Sequence, residues 1–236
     1  MGTGGGDGRI DVIIPTLDEE DEIEEALRCA LAGAGDAPLD LVVVDGGSRD
    51  DTCRRAREAG ARVVCTKPGR ARQLQAGLAA ATGDVVMFLH ADTRLPAGWT
   101  DALRDALRTS DCVAGAFDFA FRAAPTAPVS LRWVEWGARL RSRWLRLPYG
   151  DQAIFARRAV LESIGGVPQA AWMEDLDLVR RLRARGHLVC LRLAISTSPR
   201  RHLAGGVGRT ALIHLAAVCG WWLGVPRASL RRGLVG

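Results

Sequence analysis

Four short apolar runs alternate with helically patterned stretches over the first 95 residues of this 236-residue chain. The runs are residues 10–15 (IDVIIP), 39–44 (LDLVVV), 61–66 (ARVVCT) and 84–89 (DVVMFL). A continuous apolar run of this length, without alternation, suits a strand covered on both faces. Between the first two runs, Ile23, Ala26, Leu27, Ala30 and Leu31 fall at helical spacing. They predict a helix over residues 19–32, with Asp18 as its N-cap. Further helices are expected over residues 50–59, closed by Gly60, and over 69–82. Strands alternating with helices in this way predict right-handed crossovers, a parallel sheet and the α/β class.

The pattern loosens after residue 95. Residues 96–109 read as a helix, and 112–121 alternate as an antiparallel strand would. A Pro/Ala linker at 123–128 leads to a helix at 129–147, where Trp133, Trp136, Leu140 and Trp144 stand among many arginines. A short strand at 151–156, helices at 157–164 and 174–185, a strand at 188–196 and an apolar helix at 210–225 complete the pass.

Net charge is +5, and Lys67 is the only lysine. The surplus favours anionic partners. No RNA-binding aromatic motif or zinc-finger spacing accompanies it, so nucleic acid is not expected as a partner. The six cysteines are scattered without a CxxC pair, as buried small hydrophobes in a reducing compartment would be. The start has no basic and apolar leader pattern. Residues 211–225 are too short for a confident membrane span. With Trp221, Trp222, Arg227, Arg231 and Arg232 they suit an interfacial anchor, a core-packing helix or a dimer face equally.

Two strand ends carry chemistry. Residues 84–89 run into His90, Ala91, Asp92 and Thr93. Open α/β sheets bind ligands beyond the carboxyl ends of their strands. A carboxylate there can hold a divalent cation against a phosphorylated ligand. The same residues would also make a helix cap ahead of Pro96. Asp45 closes the second run and precedes Gly46-Gly47-Ser48. It can accept hydrogen bonds from a base or a ribose, and it is also good turn chemistry.

Pro15-Thr16-Leu17-Asp18-Glu19, Asp45-Gly46-Gly47-Ser48-Arg49-Asp50-Asp51-Thr52, Gly69-Arg70-Ala71-Arg72-Gln73, Gly83-Asp84 and Leu89-His90-Ala91-Asp92-Thr93 occur in order at suitable spacing. Together they resemble the family 2 glycosyltransferases of GT-A fold, over roughly residues 10–205. The length, the His90-Ala91-Asp92 motif, Gly150-Asp151-Gln152 and Ser198-Pro199-Arg200-Arg201 are similar to a small bacterial branch, the radical-SAM/selenodomain-associated transferases 2. A likeness to carotenoid-acid glycosyltransferases of the same family is looser.

The resemblance implies a three-layer α/β/α sandwich with a mainly parallel central sheet and an antiparallel acceptor-side portion. Residues 1–9 would be a disordered tail and 10–205 one domain. Its nucleotide-binding half would be 10–95 and its acceptor half 96–205. Residues 206–236 would form an amphipathic, apolar helix and a basic tail. Pro15, Thr16, Glu19 and Ala91 would line the nucleotide pocket, and Asp45 would bind the base, uracil by preference. Arg70, Arg72 and Asp84 would border the nucleotide and its phosphates. Asp92 matches the acid that ligates Mn2+ or Mg2+. His90 replaces a second acid and would touch the ribose or reach the metal through water. His202 could add a nitrogen ligand.

Asp151 and Gln152 would face the donor sugar or acceptor, and Arg200 and Arg201 the diphosphate. Glu174-Asp175 resembles the family's catalytic acid pair, with Asp175 as base, although both acids also suit a helix N-terminus. The implied activity is metal-dependent, inverting transfer from a nucleotide diphosphate sugar, UDP-linked by preference, to a hydroxyl acceptor, lipid-like ones included. Two alternatives stay open, a sugar-nucleotide nucleotidyltransferase and a non-catalytic sugar-nucleotide-binding protein. The acidic loop at residues 15–20 speaks against the first, which usually carries a Gly-rich basic loop there. A homodimer and peripheral contact with the inner face of the membrane through the C-terminal helix are compatible with the expected cytoplasmic location.

Overall fold

The computed structural model describes residues 8–122, 128–144, 147–170 and 172–235, less the side chains at 143, 201, 227, 228, 231 and 235. Residues 1–7 of the expected 1–9 tail and most of the 123–128 linker lie outside the described residues, while Gly8 and Arg9 are bonded to Asp84.

The first half follows the expected alternation: β1 (Ile10–Thr16), α1 (Ile23–Ala32), β2 (Leu39–Asp45), α2 (Thr52–Glu58), β3 (Arg62–Cys65), α3 (Arg70–Ala80) and β4 (Val85–Phe88). Next come β5 (Thr93–Arg94), α4 (Trp99–Arg108), β6 (Cys112–Phe121), α5 (Ser130–Trp144), a 3-10 turn (Gly150–Gln152), β7 (Phe155–Arg157) and α6 (Arg158–Ser163). The chain continues through α7 (Glu174–Arg183), β8 (His187–Thr197), α8 (Arg200–Gly205), α9 (Val207–Trp222) and α10 (Arg227–Val235). One sheet runs in the order β3-β2-β1-β4-β7-β6-β8-β5. Strands β3 to β4 are mutually parallel. β7 is antiparallel to β4 and β6, and β5 to β8. β6, expected antiparallel, is so only towards β7 and lies parallel to β8.

Side chains alternate across the sheet, and both faces are covered. Ile10, Val12, Ile14, Val43, Met87 and Leu89 meet Ile23 and Leu27 of α1 and Trp99 and Leu103 of α4. Ile13, Val42, Val44, Val86 and Phe88 meet Leu74 and Leu78 of α3 and Leu178, Val179 and Leu182 of α7. Two apolar faces per strand explain the continuous runs. Each such buried side chain stabilises the fold by roughly 1.5–3 kcal/mol. Gly77 lets α3 approach β1, because a methyl built there would overlap Ile13.

The differences from expectation have local causes. α1 begins at Ile23, four residues late, because Asp18 does not cap it. Asp18 takes φ 52°, and its carboxylate accepts the Arg49 N–H at 2.8 Å instead. The strand expected at 151–156 shrinks to β7, because Gln152 closes a tight turn by accepting the Tyr149 N–H at 3.1 Å. The short β5, α8 and α10 had no expectation. All six cysteines are free, but Cys65 and Cys219 are exposed, contrary to the expectation of burial.

Candidate active site

The carboxyl ends of β1, β2 and β4 share one edge of the sheet. β1 and β2 align Thr16 with Asp45, and the Thr16 hydroxyl donates to Asp45 Oδ1 at 3.5 Å. The Asp45 carboxylate also accepts the Gly47 N–H at 2.8 Å, the Ser48 N–H at 3.0 Å and the Ser48 hydroxyl. Burial by itself would raise this carboxyl, but the bonds from Ser48 and Gly47 outweigh it and hold it below the usual range. Gln73 of α3 clamps the two strand ends, donating to the carbonyls of Thr16 at 2.8 Å and Val44 at 2.9 Å. The loop after β1 is laced to the loop after β2. Asp18 N–H donates to Ser48 Oγ at 2.9 Å, and Glu19 N–H to Thr52 Oγ1 at 2.8 Å.

Asp92, just beyond β4, is 4% exposed, and its buried Oδ1 has no hydrogen-bond partner. Its Oδ2 lies 4.0 Å from Arg200 Nε, and Arg200 also pairs with Glu19. Arg200 therefore joins the β1 loop to the end of β4. The start of α8 is held beside Asp92 by Ser198 N–H, which donates to the Asp92 carbonyl at 3.1 Å.

Arg70 opens α3 and reaches across to α7. Its guanidinium pairs with Glu174, and Nη2 lies 2.8 Å from His90 Nε2. A guanidinium donates only, so His90 accepts through Nε2 and carries its proton on Nδ1. Arg70 passes so close to Gly150 that a methyl there would overlap it. Asp175, the second residue of α7, accepts the Gly150 N–H at 2.8 Å through Oδ2 and the Leu176 N–H at 2.9 Å through Oδ1. The helix N-terminus favours both acids. Burial pushes the Asp151 carboxyl up. Arg141 is the strongest opposing influence, and Asp175 adds to the rise. Asp151 Oδ1 is buried without a partner.

Arg70, His90, Asp92, Asp151, Glu174, Asp175 and His202 line one cavity of about 390 Å³, with Tyr149, Thr210 and His214. Among the described residues, the non-glycine ones with positive φ, Asp18, Ala153 and Met173, sit in loops at this edge. Strained backbone held in place by its surroundings is a mark of functional loops. A larger cavity of about 780 Å³ lies between α7 and the end of α9, lined by Arg180, Trp221 and Pro226. None of the strand-end residues faces it, and it offers no comparable chemistry.

The structure separates other expected residues. Pro15, Thr16, Glu19 and Asp45 lie at the same sheet edge but do not line the cavity, and Arg200 links Glu19 to Asp92. Ala91 is buried, its carbonyl accepting from Arg94 Nη1 at 3.1 Å. Asp84 is at the wrong edge. It precedes β4, accepts the Gly8 N–H at 3.2 Å and donates its own N–H to the Arg9 carbonyl. A four-residue strand at about 3.3 Å per residue carries it to the amino edge, away from Asp92. Arg72 points outward and donates to the Pro68 carbonyl at 2.9 Å. Gln152 is buried behind the cavity wall, donating to the Phe117 carbonyl at 3.0 Å and accepting from Ser142 Oγ at 2.7 Å. The Arg201 side chain lies outside the described residues. The His202 ring stands 4.8 Å from Phe121 and 5.8 Å from His214, centroid to centroid.

Sequence reasoning missed Tyr149. Arg141 lies 3.3 Å over its ring, and burial pushes its hydroxyl up to about 12. It also missed Gln73 as a clamp, and the wall that Thr210 and His214 give to α9. Being the lone tyrosine, beside Gly150-Asp151, was the available signal for the first.

Among the described residues, no three His, Cys, Asp or Glu side chains converge to hold a metal by themselves. Asp92 nevertheless offers one buried, unsatisfied carboxylate oxygen. That is the donor needed by a cation that takes its other ligands from a diphosphate and water.

Residues 11–165 match the model described as glycosyl transferase family 2, and the chain belongs to that family. An uncharacterized glycosyltransferase of Mycobacterium tuberculosis is 32% identical over 225 residues, covering 90% of this chain and 96% of that one. Glucosyl-3-phosphoglycerate synthase of M. tuberculosis, solved with Mn2+, UDP-glucose and phosphoglyceric acid, superposes with a TM-score of 0.60. Identity is 26%, over 89% of this chain and 79% of that one. A mannosyltransferase of Pyrobaculum calidifontis, solved with GDP-Man and Mn2+, has a TM-score of 0.65 at 23% identity and shares the fold. The match covers 86% of this chain and 61% of that one. The expected GT-A architecture is thus the observed one.

Proposed function

We propose that the protein transfers a glycosyl group from a nucleotide diphosphate sugar, UDP-linked by preference, to a hydroxyl acceptor with inversion. The observation that carries this reading is one cavity holding Asp92, with its unsatisfied buried oxygen, together with Asp175. The mycobacterial synthase binds Mn2+ and UDP-glucose on a similar fold, which supports both donor class and cation. Asp45 and Thr16 would take the base and ribose. Arg70 and Arg200 would take the diphosphate, exchanging their present carboxylate partners for phosphate oxygens. Asp92 would hold Mn2+ or Mg2+, which when bound neutralises charge on the diphosphate.

Asp175 accepts the proton of the acceptor hydroxyl as its oxygen bonds to the anomeric carbon. The bond from that carbon to the β-phosphate oxygen breaks on the opposite face, and its electron pair leaves with the nucleoside diphosphate. Arg70 and Arg200 stabilise that charge. Glu174 holds the Arg70 guanidinium at the cavity until the diphosphate takes its place.

Hydrolysis of UDP-glucose with Mn2+, water standing in for the acceptor, tests this without knowledge of the acceptor. Early NMR spectra should show β-glucose and UDP. The α-anomer appearing first would contradict single displacement, and release of UMP would contradict glycosyl transfer.

A further inference from the structure

Helix α5 is apolar on two sides. Leu131, Val134 and Ala138 pack inward on Phe119 and Phe121. Trp133, Trp136, Leu140 and Trp144 recur every three or four residues along another side and are all exposed, Trp144 at 81%, with Val129 exposed just before the helix. A surface helix needs one apolar face for the core. A second stripe calls for a cover of its own. Helix α9 packs beside α5 and repeats the arrangement. Its Thr210, His214 and Ala217 line the cavity, while Leu212, Leu215 and Trp222 are exposed. Of the thirteen exposed large apolar side chains among the described residues, all but Leu17 and Leu31 lie between Val129 and Val225.

Charge selects the occupant. From Arg201 to the C-terminus the sequence holds five arginines, two histidines and no acid. On α5, Arg132 is exposed, Arg139 pairs with Asp118 and Arg141 lies inward over Tyr149, and the one acid, Glu135, is engaged by the Phe121 N–H at 2.6 Å. Tryptophan bodies and arginine stems suit the head-group layer, with the guanidinium groups on lipid phosphates. Two copies joined through this face would set arginine against arginine. No helix among the described residues is long and apolar enough to cross a membrane, so the contact is along the surface.

We propose that the face formed by α5 and α9 docks on an anionic lipid surface. Because α9 also walls the cavity, docking brings the acceptor side to the bilayer and points to a lipid-borne hydroxyl. That second clause rests on the glycosyl-transfer reading, whereas the docking does not.

The full chain is sedimented with vesicles of phosphatidylglycerol and phosphatidylcholine, and with phosphatidylcholine alone. It should pellet with the anionic vesicles and be released by salt. The double variants Trp133→Glu/Trp136→Glu and Leu212→Glu/Leu215→Glu should each lower vesicle partition about tenfold or more, with circular dichroism melts like the parent's. A parent that stays in the supernatant with both vesicle types overturns the proposal. So does undiminished partition of both variants, or a dimer in solution that these substitutions dissociate with no vesicle binding. If UDP with Mn2+ fails to bind while vesicles still do, docking stands and the lipid-acceptor clause falls with the glycosyl-transfer reading.

Discussion

The two sides of the cavity are built on opposite plans. On the side of β1, β2 and β4, polar groups other than Asp92 Oδ1 satisfy one another, many through the backbone. Asp45 is held by Ser48 and Gly47, Glu19 by Thr52, and both strand ends by Gln73. On the side of α5 and α9, apolar groups face outward with none of the described residues over them. The first side is arranged before a ligand arrives, as tight recognition of a rigid nucleotide requires. The second is suited to a partner that supplies the missing cover. This contrast separates donor binding from acceptor contact, and substitutions can pull the two apart.

The largest effect is expected at the junction. Asp175→Asn should reduce UDP-glucose turnover by about 10²–10⁴-fold while leaving UDP-with-Mn2+ binding intact, read by coupled UDP release and by thermal melts. Equal loss of both would make Asp175 a structural cap rather than a base.

Next come two tryptophans. Trp99 is fully buried and donates to the Ala30 carbonyl at 2.9 Å, so Trp99→Ala should cost about 3–5 kcal/mol in urea unfolding. Trp133 is 69% exposed, and Trp133→Ala should stay within about 0.5 kcal/mol. A comparable loss at Trp133 would mean that its face is part of the core. Gly77→Ala, forced against Ile13, should cost about 1–3 kcal/mol by the same measurement.

The smallest effects are pH-dependent and opposite in sign. Asp45 carries a lowered carboxyl in the folded state. Its stabilising contribution is whole above the unfolded value of about 4 and is lost as pH falls through the folded value. Asp45→Asn should therefore destabilise at neutral pH and converge on the parent in acid. Asp151 carries a raised carboxyl. Its ionisation favours the unfolded chain once pH rises above about 4, and the cost is complete above the folded value. Asp151→Asn should match the parent in acid and gain stability towards neutral pH. Melting temperatures across pH would expose either sign error directly.

Much of the first side was legible in the sequence. Strands covered on both faces have continuous apolar runs, and an acid after such a run, as at Asp45 and Asp92, must lie at the carboxyl edge. The same rule should have removed Asp84, which precedes its run. Arg72 and Gln152 show the limit of local reading. Which way a side chain on α3 points, or whether an amide is consumed by Ser142 and Phe117, depends on partners far off in sequence. The pairing of β6 with β8 and the cavity wall on α9 were hidden for the same reason. The stripes on α5 were visible as tryptophans, but only the packed inner stripe of Leu131 and Ala138 shows that the outer one is surplus to the core.

The central claim is that Asp92 holds the cation through which the nucleotide is bound. Thermal melts of the parent and of Asp92→Asn with UDP, each with and without Mn2+, test it most directly. At a ligand concentration of about a hundred times Kd, UDP with Mn2+ should stabilise the parent by about 2.7 kcal/mol, roughly 5–11 °C. Neither UDP alone nor the Asp92→Asn variant under any of these conditions should show the shift. A UDP shift that needs no metal, or one that survives in Asp92→Asn, would contradict the account.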